Sequence, residues 1–155
     1  MTATNHALTG AVIGLTIGNP LIAIPLAFVS HFVLDTIPHF GFKGTRTDEQ
    51  LLGQRWFKWL LVTEALLCFM IVLTLWLQQP HQWLVGAVSA FVATSPDLYS
   101  IPRFLKVNKW RQAPVKWNAF RRFHDVIQTE TMWGAAVEAV WLSGILYIFM
   151  QQLGK

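Results

Sequence analysis

Apolar residues in this chain gather into five long runs separated by shorter polar segments. The first run predicts a helix from residue 3 or 6 to 18, ended by Asn19-Pro20, a turn signal with proline at the next helix start. The second run extends to residue 37, where Pro38 stops it; Pro25 either kinks this helix or marks its first turn. A third helix is expected over 56–77, a fourth over 82–95 up to Pro96, and a fifth from about 117 to 151 with its apolar part beginning near 132. Roughly 20 apolar residues cross a bilayer. The third run meets that length, whereas the first and fourth reach only about 20–24 Å at 1.5 Å per residue. Polar connections cover 40–54 and 98–116, the latter with a short interfacial helix expected over 101–107. The pattern predicts an all-α fold: a polytopic membrane helical bundle of about five helices in a single domain spanning 1–155.

Composition agrees. The chain is 54% hydrophobic and 13% charged, about half the charge of an ordinary soluble domain. Its basic residues sit in two places: Lys43, Arg46, Arg55 and Lys58, then Arg103, Lys106, Lys109, Arg111, Lys116, Arg121 and Arg122. Five crossings put both groups on the side of the N-terminus, and the excess of Lys and Arg makes that side cytoplasmic. The expected location is therefore the inner membrane, multi-pass. Positive charge between apolar spans is a topology signal, and no nucleic-acid partner is expected. The single cysteine, Cys68, lies mid-helix and forms no internal disulfide.

Against this background, eight polar residues stand inside or at the ends of the apolar runs: His6, His31, Asp35, His39, Glu64, Asp97, His124 and Glu138. Ionisable groups in hydrocarbon are costly and mark function unless they pair. In the predicted topology they converge on one leaflet, with Glu64 and Glu138 deepest. His31 and Asp35 are four apart and share a helix face. Ala23 and Ala27 continue that face, and His6, Gly10, Gly14 and Gly18 form a similar stripe of small residues that admits a close neighbour. His124, Gln128, Thr131, Ala135 and Glu138 read as one polar stripe on the fifth helix. Asp48, Glu49, Asp125 and Glu130 read as solvated charges, and His81 has no role.

Imidazole and carboxylate donors without thiolates suit Zn²⁺ best, or Mn²⁺ or Fe²⁺. Such an ion acidifies bound water, and Glu138 or Glu64 is the expected catalytic proton acceptor. No GxSxG, Walker A, GxGxxG or HExxH motif is present, so serine hydrolases, nucleotide hydrolases and zincins have no support.

The segments "NHALTGAVIG", "SHFVLDTIPHFG", "SPD" and "FHDVIQ" together resemble the small bacterial membrane-bound metal-dependent hydrolases, a family distantly similar to zinc-dependent phospholipase C-type helical proteins. The resemblance implies a metal site formed by His6, His31, Asp35, Asp97 and His124, with His39 in addition. The Pro-Asp-x-Asp and Thr-His-Ser motifs of better-known members are not found in this chain. The expected activity is metal-assisted hydrolysis of an ester or phosphoester, in a membrane lipid or another anionic substrate held by the basic loops. The alternatives are ion transport through the histidines and Glu64/Glu138, or a scaffold whose polar residues only join helices.

Overall fold

A computed structural model of the protein describes residues 1–43, 48–99, 101 and 118–154. Among these are seven helices: α1 (Ala3–Ile17), α2 (Pro20–Thr36), α3 (Asp48–Leu52), α4 (Arg55–Gln78), α5 (Trp83–Leu98), α6 (Ala119–Ile127) and α7 (Gly134–Leu153). Two short strands, β1 (His39–Phe40) and β2 (Glu130–Thr131), pair in parallel with His39 opposite Glu130. The fold is all-α apart from this pair.

The shortest of the long helices is the central one. α1 packs against α2, α4, α5 and α7, and every residue from Thr4 to Ala11 is buried. A helix whose first half is covered on all sides has no need of bilayer-spanning length. Its glycines allow this approach: a Cβ on Gly14 would meet the Val85 carbonyl oxygen at 2.5 Å and Gly86 Cα at 2.6 Å, both backbone atoms of α5. The tight turn to α2 follows from local chemistry. Gly18 adopts φ 67° and donates to the Gly14 carbonyl, and Asn19 caps α2 by accepting from the Leu21 amide at 3.0 Å, with Pro20 in the first turn. Pro25 therefore lies inside α2, whose start is Pro20.

Among the described residues, α4 and α7 are the two helices long and apolar enough to cross a membrane. Within α4 only Ile71 and Leu75 are buried, while Leu61, Val62, Leu66, Leu67, Phe69 and Met70 are exposed. Ile71 and Leu75 join Leu8, Leu15, Ile145 and Phe149 in the apolar core around α1.

Three expectations are corrected. Pro96 does not end α5, which continues to Leu98. Proline lacks the N–H that would reach the Val92 carbonyl, and the Ser95 hydroxyl donates to that carbonyl instead, at 2.8 Å. The fifth predicted helix is not continuous: it breaks into α6 and α7 around β2. The break replaces helical bonds with tertiary ones, because the Thr129 amide donates to the Asp35 carbonyl at 2.9 Å and the Thr129 carbonyl accepts from the His39 amide at 3.0 Å. The Thr131 hydroxyl then caps α7 by accepting from the Gly134 amide at 3.1 Å. Third, the polar stretch 40–54 is not all loop, since it carries the end of β1 and α3. Apart from Ile101, the interfacial helix expected over 101–107 lies outside the described residues, as do Arg46, Arg103, Lys106, Lys109, Arg111 and Lys116.

Candidate metal centre

α1, α2, α5 and α6 each bring histidine or aspartate to one buried point. His31 and Asp35 come from the last turns of α2, Asp97 from the last turn of α5, and His124 from α6. His31, Asp35 and His124 are buried, while the Asp97 side chain is 34% exposed and forms the open side. One donor atom from each of the four residues lies within 4.8 Å of all the others.

The donor set fits a divalent ion. His31 Nε2 and His124 Nε2 are 3.0 Å apart. Asp35 Oδ2 lies 3.3 Å from the first and 2.9 Å from the second. Asp97 Oδ1 lies 3.7 and 3.8 Å from the same two nitrogens. A tetrahedral ion with ligand bonds of about 2.0–2.1 Å has edges of about 3.3–3.4 Å, within the range these separations span. The protonation pattern agrees. His31 Nδ1 lies 2.8 Å from the Ala93 carbonyl, which can only accept. In a neutral His31 the proton is therefore on Nδ1, which leaves the Nε2 lone pair for the other side, as in metal-ligating histidines held by a carbonyl. Two carboxylates and two imidazoles converging with so little solvent are stable together only if a cation or proton offsets the negative charge.

The surroundings hold this geometry. Phe32 stands between Phe28, Phe120 and Phe123, with ring centroids at 5.2, 6.1 and 5.6 Å, and its edge meets the His31 ring at 5.2 Å. Tyr99 packs on Phe120 at 5.4 Å and receives a hydrogen bond from the Asn118 amide group. Gln128 Nε2 lies 3.4 Å from both Asp35 Oδ2 and His124 Nε2.

Five of the six residues expected at the metal come together. His6 is the fifth, fully buried, with Nε2 3.2 Å from Asp35 Oδ1 and its ring stacked on His31 at 4.0 Å. The Met1 nitrogen lies 2.5 Å from the same Oδ1. His39 is not among the four donors; it is buried in β1 with Nδ1 donating to the Ile37 carbonyl at 2.9 Å. Glu64 and Glu138 lie at the start of α1. Glu64 Oε2 accepts from the amide and the hydroxyl of Thr4, both at 2.8 Å, and Glu138 Oε1 accepts from the Thr2 amide at 3.0 Å. Among the described residues, no hydrogen bond or ion pair joins either glutamate to the four donors or to the other.

Glu130 is the clearest departure from expectation. Rather than standing in solvent, its Oε2 accepts from the Phe42 and Lys43 amides, both at 2.7 Å. Lys43 Nζ in turn donates to the carbonyls of Asp125 and Gln128. This clasp ties the chain after β1 to the end of α6, and so the α2 side of the site to the His124 side. No local pattern around Glu130 signals it, because its partners lie 87 and 88 residues away. His81 is exposed and contacts its neighbour Gln82, far from this region in the chain.

No protein family, curated protein or solved structure matches this chain.

Proposed function

We propose that this protein is a multi-pass inner-membrane hydrolase that holds a divalent metal ion, Zn²⁺ by preference over Mn²⁺ or Fe²⁺, and cleaves an ester or phosphoester, with membrane lipid as the substrate source. The observation that carries this reading is the four-donor cluster, buried at His31, Asp35 and His124 and 34% exposed at Asp97. A structural site would be closed on all sides, whereas a catalytic one keeps access for water and substrate. A divalent ion at such a site supplies Lewis acidity and lowers the pKa of water. His31, His124 and Asp35 would hold the ion, and Asp97, whose Oδ1 stands farther off at 3.7 and 3.8 Å from the two imidazoles, would be its outermost ligand, nearest incoming water and substrate. Phe32 sets an apolar ring edge-on beside both imidazoles, with centroids 5.2 Å from His31 and 5.9 Å from His124. The resemblance of short motifs in this chain to those of small membrane-bound metal-dependent hydrolases supports the same reading.

In this reading the five long helices α1, α2, α4, α5 and α7 form the membrane bundle, with the site at its cytoplasmic end. The exposed apolar surface of α4 and α7 supports a lipid environment. Away from the cluster, α1, α2 and α5 pack on one another and bury Ala11, Ala23, Ala27, Ala87 and Ala90. The other buried polar side chains of these helices, Thr4, Asn5, Thr9, Ser89 and Thr94, carry no ionisable group beyond His6 and the cluster, which favours hydrolysis over proton or metal transport.

The test is elemental analysis of protein purified in detergent, followed by turnover of a chromogenic phosphodiester and a carboxylic ester in lipid micelles. We expect bound metal, and turnover lost together with metal in Asp35→Ala. Asp97→Asn should retain metal with reduced turnover. Protein free of Zn, Mn and Fe, with thermal stability indifferent to chelator, would sink the proposal.

A further inference from the structure

The two oxygens of Asp35 have separate partners. Oδ2 faces His31, His124 and Gln128. Among the described residues, Oδ1 faces His6 Nε2 at 3.2 Å and the Met1 nitrogen, just before α1, at 2.5 Å. His6 has the burial and position of a ligand, yet its second ring nitrogen argues otherwise. Among the described residues, Nδ1 is buried with no hydrogen-bond partner.

A neutral imidazole carries one proton, on one nitrogen or the other. If Nε2 bound a metal, the proton would be on Nδ1, a buried donor with nothing to accept it. Orphaned buried N–H groups are rare and costly, while an unused acceptor is better tolerated. The arrangement with fewer costs puts the proton on Nε2, donating to Oδ1, and leaves Nδ1 as a bare lone pair. His31 is the contrast within the same site, with its Nδ1 proton on the Ala93 carbonyl and Nε2 free to ligate. From this we infer that His6 is a positioning residue and not a ligand: its Nε2–H holds Asp35 Oδ1, so that the carboxylate offers Oδ2 alone to a single divalent ion.

The helix carrying His6 is itself held from outside. Thr2, at the N-cap of α1, makes no side-chain capping bond. Glu64 from α4 and Glu138 from α7 supply acceptors for the Thr4 and Thr2 amides instead. Carboxylates at a helix N-terminus satisfy its free amides and complement its dipole. Here they fix the turn from which His6 reaches Asp35, the role this inference gives Glu64 and Glu138 in place of proton transfer.

This inference rests on the metal-site reading, and titration with Co²⁺ alone separates the two. In the wild type we expect one Co²⁺ per chain with a visible d–d band. His6→Ala should still bind one ion, with affinity lowered about 10–100-fold, the usual effect of losing an outer partner, and with the band unchanged. In His6→Gln the amide Nε2 replaces the ring N–H with little change in volume, so affinity should return to within about 3-fold of wild type, since a neutral donor is all Oδ1 requires. A ligand role predicts another result, in which His6→Gln binds as weakly as His6→Ala and the d–d band shifts in both. Two ions in the wild type falling to one in His6→Ala would likewise overturn the inference. Thermal unfolding of the metal-free variants shows whether each is folded, and His6→Gln decides if His6→Ala is not. A wild type that binds no Co²⁺ refutes the metal reading itself.

Discussion

Gly14→Ala probes whether the approach of α1 to α5 builds the site. An added Cβ would lie 2.5 Å from the Val85 carbonyl oxygen and 2.6 Å from Gly86 Cα. Comfortable contact requires about 3.5 Å, so α5 must retreat by roughly 1 Å at this level. The atoms in the way are backbone and cannot rotate aside. α5 also carries the Ala93 carbonyl, 2.8 Å from His31 Nδ1. A retreat of about 1 Å transmitted along the helix takes that bond beyond hydrogen-bonding distance and draws Asp97 away with it. Overpacking of this kind costs about 1–3 kcal/mol, partly masked by the helix preference of alanine over glycine, about 0.8–1 kcal/mol. Gly144→Ala is the matched control: nothing lies within 4 Å of its added Cβ, so it should show the propensity gain alone. The difference between the two variants isolates the steric effect. Unfolding of both in one detergent, with and without Zn²⁺, should place Gly14→Ala below Gly144→Ala by about 1–3 kcal/mol. Zn²⁺ affinity should fall in the first variant only. Equal stabilities and equal affinities would refute the idea that this contact sets the cluster.

Three further outcomes are expected. Zn²⁺ at about 1,000 times its Kd should stabilise the wild type by about 4 kcal/mol and leave His31→Ala unmoved, as read by melting with and without chelator. Glu130→Ala strips an acceptor from the Phe42 and Lys43 amides; it should cost about 1–3 kcal/mol and speed hydrogen exchange at those two amides, with slow exchange in the variant counting against the clasp. Ser95→Ala removes the hydroxyl that serves the Val92 carbonyl before Pro96, so a loss of about 0.5–1.5 kcal/mol is expected, against no loss for Ser143→Ala, whose hydroxyl serves a carbonyl already able to pair within α7.

Much of the site is legible in the chain because helices encode neighbours by spacing. His31 and Asp35 share a face by their separation alone, and the alanines before them mark the same seam. His6 and the glycines at 10 and 14 announce a helix meant for close packing. Asp97 was readable as a metal candidate, although Pro96 misplaced the end of its helix; a single hydroxyl supplied by Ser95 carries the helix through. The stripe from His124 to Glu138 was the misleading signal. It has helical spacing, but the chain leaves the helix at Gln128 because Asp35 and His39 offer its backbone better partners.

The sequence by itself determined the long apolar helices and the donor types, since those depend on residues within a few positions of one another. Only the tertiary structure decided which oxygen of Asp35 faces which histidine, and that Glu64, Glu138 and Glu130 serve backbone amides far away in the chain. A carboxylate accepts equally well from an ion, a side chain or an amide. Its residue type is written in the sequence, but the group it faces is set by which helices pack together.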